Sequence, residues 1–141
     1  MQAKILPPPV WVATPGVLQE LADELAGWTR IAVDTESNSM HAFREQLCLI
    51  QFSTPQTDYL VDPLALKDLS PLRPVFANPE IEKVFHAAEY DLICLKRDSG
   101  ITGDNSRLMV DLCTSTTCAI AFRLCPIPFK AEIWYLCSWA S

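Results

Sequence analysis

Three apolar runs of strand length follow one another between residues 31 and 61, and they constrain the fold more than any other feature of the chain. Ile31-Ala32-Val33 runs into Asp34-Thr35-Glu36, and Leu47-Cys48-Leu49-Ile50-Gln51-Phe52-Ser53 is longer. Tyr59-Leu60-Val61 comes after the turn signal Ser53-Thr54-Pro55-Gln56, close enough to predict a hairpin with the second run. Helical spacing flanks them. Thr14, with Pro15 at the first helical position, opens a segment in which Val17, Leu18, Leu21, Leu25 and Trp28 recur at three and four, with Gly27 as a stop. Residues 66–76 have helical spacing interrupted by Pro71 and Pro74, which predicts a short helix from about Ser70. Residues 81–85 read as a strand, and 87–98 as a helix closed by Gly100. Strands in a hairpin run, then alternating with helices, define an α/β domain: a mixed sheet with helices packed on it.

Composition agrees with one such domain. Of 141 residues, 50% are hydrophobic and 20% charged, enough apolar surface for a core and too little charge for a disordered chain. A net charge of −6 excludes a polycationic coat, so any hold on nucleic acid needs a local basic patch or a bound metal. No run reaches the roughly 18–20 apolar residues of a membrane span, and the opening Met-Gln-Ala-Lys-Ile-Leu leads straight into Pro7, Pro8 and Pro9. The expectation is a soluble, cytoplasmic protein with reduced thiols and no membrane partner.

The charge is uneven. Residues 1–106 hold 15 acids and 8 bases, a balance of −7, whereas residues 107–141 hold 2 acids against 3 bases, +1, together with four of the six cysteines. The chain therefore divides into a well-patterned part, 1–106, and a divergent tail, 107–141, through which no helix or strand can be drawn. Cys113, Cys118, Cys125 and Cys137 have none of the short paired spacings of a zinc site and read as plain thiols.

Two acids stand out at the end of the first apolar run. Asp34 and Glu36 are one residue apart on a strand, so both side chains leave the same face about 6–7 Å from each other. Two anions so placed need a cation or a proton, or else the strand frays there and both reach water. Asp91 is the third acid. At 100° per residue it falls on the edge of the apolar stripe of Ala88, Leu92 and Leu95, while Glu89, Lys96 and Arg97 fall on the solvated arc. An inward carboxylate needs a partner, either a hydroxyl or backbone donor or a metal shared with Asp34 and Glu36. Three such oxygens with no matching cation suit Mg²⁺ or Mn²⁺, and two of these ions can support phosphodiester cleavage.

These residues carry a family resemblance. Ile31 to Glu36, Gln46 to Gln51, Tyr59-Leu60-Val61-Asp62-Pro63-Leu64 and Val84-Phe85-His86-Ala87-Ala88-Glu89-Tyr90-Asp91-Leu92 resemble, in order and spacing, the ribonuclease D branch of the DEDD 3′→5′ exonucleases. The likeness spans about residues 14–102. It implies a ribonuclease H-like fold with flanking helices, two divalent cations, and removal of nucleotides from the 3′ end of a nucleic acid, RNA ahead of DNA. By position, Asp34, Glu36 and Asp91 are then the catalytic metal ligands. His86 matches the histidine that opens the second motif, on the substrate-binding side, although a histidine satisfied by backbone at a strand end reads equally well.

The family's fourth acid lies in a third motif, Tyr-x-x-x-Asp or His-x-x-x-Asp, whose first residue orients the attacking water. Asp98, Asp104 and Asp111 are preceded at four residues by Cys94, Gly100 and Arg107, so none fits. The departure coincides with the compositional break, which predicts an incomplete domain whose last part is the product of a frameshift or truncation. Two functions compete: an exonuclease domain weakened by the missing motif, and a non-catalytic domain of the same fold that binds nucleic acid or a protein. A flavin or nucleotide site finds no phosphate-cradling loop among only four glycines.

Overall fold

The computed structural model describes residues 7–38, 45–85 and 88–103, and the backbone of 108–110. Among these residues six strands form one sheet in the order β1-β4-β3-β2-β5-β6, where β1 is Val10–Val12, β2 Arg30–Ser37, β3 Leu47–Ser53, β4 Asp58–Val61, β5 Glu82–Phe85 and β6 Leu108–Val110. Only β3 runs against the others: it pairs antiparallel with β2 and β4, while β1–β4, β2–β5 and β5–β6 are parallel. Helix α1 spans Pro15–Ala26, α2 Arg73–Ala77 and α3 Ala88–Ser99. The expected mixed α/β sheet is what forms.

Register and side-chain alternation sort the sheet into two faces. Ile31, Val33, Ile50, Phe52, Val61 and Phe85 share a core with Leu18, Leu21, Ala22 and Leu25 of α1, Val75 and Phe76 of α2, and Ala88, Cys94 and Leu95 of α3, so the described helices lie on this one face. Phe52 and Phe76 meet edge to face, ring centroids 6.1 Å apart. Lys83 is also buried on this side and donates from its ammonium to the Asn78 carbonyl at 2.5 Å, which meets the cost of a buried charge. The opposite face carries Ala32, Asp34 and Glu36 from β2, and its buried Leu49 and Leu60 form a separate small cluster.

Most boundaries match the sequence pattern. Pro15 begins α1 after an extended Thr14, and Gly27 caps it. Gly100 ends α3 with φ +63°, its N–H donating to the Lys96 carbonyl while Ile101 reaches back to Leu95, a left-handed helix stop. Pro71 sits in a 3₁₀ turn, Ser70–Leu72, which leads into α2. Three differences matter. β2 runs from Arg30 to Ser37, one residue beyond the expected strand at either end, because pairing with β5 and β3 reaches past its apolar run. β1 shows no pattern in sequence, being three residues after three prolines, and exists through parallel pairing with β4. β6 lies beyond residue 106, so the sheet crosses the compositional boundary between 106 and 107. The remainder of the tail, with its cysteines, lies outside the described residues.

Candidate active site

Asp34 and Glu36 stand in a fully paired strand, opposite Gln51 and Leu49 of β3, and both are partly buried. They do not sit at a frayed end; the ladder holds both carboxylates on the face away from the helices. A β-bulge between Glu36 and Ser37 interrupts the pairing directly after the second acid.

Asp91 is turned inward as its position on α3 predicts, with 4% of its surface exposed. Its partner is Thr35, the residue between the two strand acids. The Thr35 hydroxyl donates to Asp91 Oδ1 and the Thr35 backbone adds a further bond. Asp91 Oδ2, also buried, has no hydrogen-bond partner among the described residues. Burial pushes the Asp91 carboxyl up to about 6, the bonds from Thr35 oppose this, and the negative fields of Asp34 and then Glu36 add to it. Three carboxylates therefore feel one another, and one of them keeps a lone oxygen in the interior.

They are neighbours without yet sharing one point. Asp91 approaches β2 from the helix side, whereas Asp34 and Glu36 leave the other face. Among the described residues no three His, Cys, Asp or Glu side chains come close enough to hold a single ion. The donors nevertheless fit a hard divalent cation: all are carboxylate oxygens, and among the described residues one is orphaned and no cationic side chain is bonded to Asp91. His86 lies outside the described residues. Sequence reasoning missed Thr35, whose only signal is a hydroxyl on the core side of β2 beneath a helix with an inward acid. It also missed Ser37 and Tyr90, whose oxygens lie 3.2 Å apart beside the site. A second orphaned oxygen, Asp58 Oδ1, belongs to the first residue of β4, two strands from β2, and does not join the cluster.

Among the described residues, one antiparallel strand in an otherwise parallel sheet, helices on one face and an acid pair on the other make a ribonuclease H-like domain of the kind that nucleases use. The chain belongs to the 3′-5′ exonuclease family, whose family model matches residues 9–120. That match continues past Thr102, where the motif resemblance ends, and takes in β6. Protein RRP6-like 3 of Arabidopsis thaliana is 52% identical over 90 residues, 63% of this chain and 10% of that protein. Exosome complex exonuclease RRP6 of Saccharomyces cerevisiae is 44% identical over 94 residues, 66% of this chain and 13% of that protein. The chain thus spans about a tenth of the length of these curated relatives. Among solved structures, the catalytic core of RRP6 from Trypanosoma brucei, in a cysteine-to-serine mutant, superposes with a TM-score of 0.67 at 30% identity, covering 90% of this chain and 42% of that one.

Proposed function

We propose that this chain carries the metal-binding part of a 3′→5′ exonuclease site, with Asp34, Glu36 and Asp91 as the ligands of divalent cations, Mg²⁺ or Mn²⁺. The carrying observation is the buried Asp91 Oδ2, without a hydrogen-bond partner among the described residues, on a carboxyl that feels the charges of Asp34 and Glu36. When bound, such ions supply an activated water and stabilise the leaving oxygen of a scissile phosphodiester. The protein's part is to keep the acids close, to hold Asp91 through Thr35, and to present Asp34 and Glu36 on a rigid strand. Clustered acids of an overall acidic chain repel a bare phosphate, so the cations also supply its attraction. RNA is the proposed substrate, supported by relatives named for RRP6 and the exosome and by a neighbouring ribonuclease D solved with RNA. A cytoplasmic place of work stays part of this proposal; no described helix is long and apolar enough to cross a membrane.

The missing Tyr-x-x-x-Asp motif removes a water-orienting group and a carboxylate. Each such group contributes factors of about 10² or more, so Mn²⁺-dependent trimming of a 3′-labelled oligoribonucleotide is expected to be weak or absent. Robust trimming that disappears in Asp34→Ala would show that the water-orienting role is met elsewhere in the chain. The absence of that motif favours a second reading, a domain of the same fold that binds without cleaving. Titration with Mn²⁺ separates the two: the catalytic remnant binds it through the three acids, a pure interaction module does not.

A further inference from the structure

A register shift interrupts the pairing of β2 with β3 directly after Glu36, and pairing resumes at Ser37 opposite Leu47, with the Asn38 N–H donating to the Gln46 carbonyl. A chain of polar side chains ties this end of the acid-bearing strand to α3. Ser37 Oγ donates to Glu45 Oε1 at 2.9 Å, and since that uses the serine proton, the Tyr90 hydroxyl is the donor in the 3.2 Å contact with Ser37. Arg97 Nη1 donates to Glu45 Oε2 at 2.9 Å. Its Nε and Nη2 fork onto Asp98, at 2.6 and 2.8 Å, and Asp98 Oδ2 in turn accepts the N–H of Leu47, the first residue of β3, at 2.7 Å. Both ends of α3 are thereby tied to the same hairpin tip, with Thr35–Asp91 between them.

We infer that Arg97, bridging Glu45 and Asp98, is a positioning residue that sets where Asp91 of α3 stands relative to Asp34 and Glu36 of β2. The inference rests on the proposed function, because it gives the three acids a common ion. Arg97 suits the task. Its planar fork grips two carboxylates in fixed directions, whereas a lysine would offer one rotating point charge. Partly exposed ion pairs of this kind add little to stability. What the bridge supplies is alignment.

Sign separates this role from a field effect. Removing a cation beside an acidic site makes the site more negative and should tighten Mn²⁺ binding; removing an alignment should weaken it. Mn²⁺ binding to the full chain, followed by electron paramagnetic resonance with melting curves alongside, reads the difference. Arg97→Ala should bind Mn²⁺ about tenfold more weakly with a small change in Tm, in line with groups that orient metal ligands. Arg97→Lys, equal in charge, should also bind more weakly. Should Arg97→Ala fail to fold, Ser37→Ala cuts the link by which Glu45, and through it Arg97, reaches β2, without altering charge, and should weaken binding several-fold. Unchanged or tighter binding in a folded Arg97→Ala or Ser37→Ala protein overturns the positioning role alone. If the unsubstituted chain binds no Mn²⁺ that Asp34→Ala abolishes, the proposed function falls and this inference with it.

Discussion

Asp91 is the residue where burial, hydrogen bonding and charge meet, and its proton is the most informative one in the molecule. Its carboxyl titrates near 6 in the folded chain against 3.8 for a free side chain, so between these values the folded state holds the proton more tightly than the unfolded one. Without metal, the contribution of this group to stability is therefore greatest below about pH 4, falls as pH rises through 6, and is then flat. Urea unfolding in a chelator should show this decline between pH 4 and pH 7 as the difference between the unsubstituted chain and Asp91→Asn. Thr35 opposes the shift by donating to the carboxylate. Thr35→Val deletes a hydroxyl that bonds a charged group and is expected to cost about 1.5–3 kcal/mol at pH 7, measured by the same unfolding. At pH 4, with Asp91 protonated, the cost should be smaller.

At the scale of elements, the strands and helices with a strong period were legible from residue types alone. α1, β3, the β3–β4 hairpin and α3 appear within a residue or two of the pattern, because each buries an apolar face of its own. β1 was not legible, since it depends on a partner strand rather than on local spacing. Gly100 was legible as a stop, and the structure adds why glycine is needed. With φ +63° and an added Cβ only 3.1 Å from Arg73 Nη2, Gly100→Ala should lose roughly 1 kcal/mol or somewhat more, visible as a lower Tm. The arginine tip can move aside, so the backbone conformation accounts for most of that loss.

For the whole molecule, the consequence of an acid cluster is that cation binding and folding are linked. A cation that binds only the folded chain stabilises it by about 2.7 kcal/mol at a hundredfold excess over Kd. Mn²⁺ should accordingly raise Tm at pH 7.5 and do so much less at pH 5, where Asp91 holds its proton; equal shifts at both values would exclude Asp91 as a ligand. The compositional division at residue 106 separates charge, yet the sheet passes through it at β6 and the family match reaches residue 120. Composition reports which residues meet water, whereas strand pairing joins backbone groups whatever their side chains.

From the sequence alone follow the α/β class, the mixed sheet, the acid pair on one strand face and the inward turn of Asp91, since all of these are set by periods of two and 3.6 residues. The tertiary structure decided what those periods cannot reach. It chose Thr35 as the partner of Asp91, left Oδ2 alone in the interior, and placed Asp34 and Glu36 on the face away from the helices. It also tied α3 to the hairpin tip through Arg97. Those contacts join residues some fifty positions apart, as in Arg97–Glu45 with its separation of 52, and only the packing of a helix across the sheet brings them within reach.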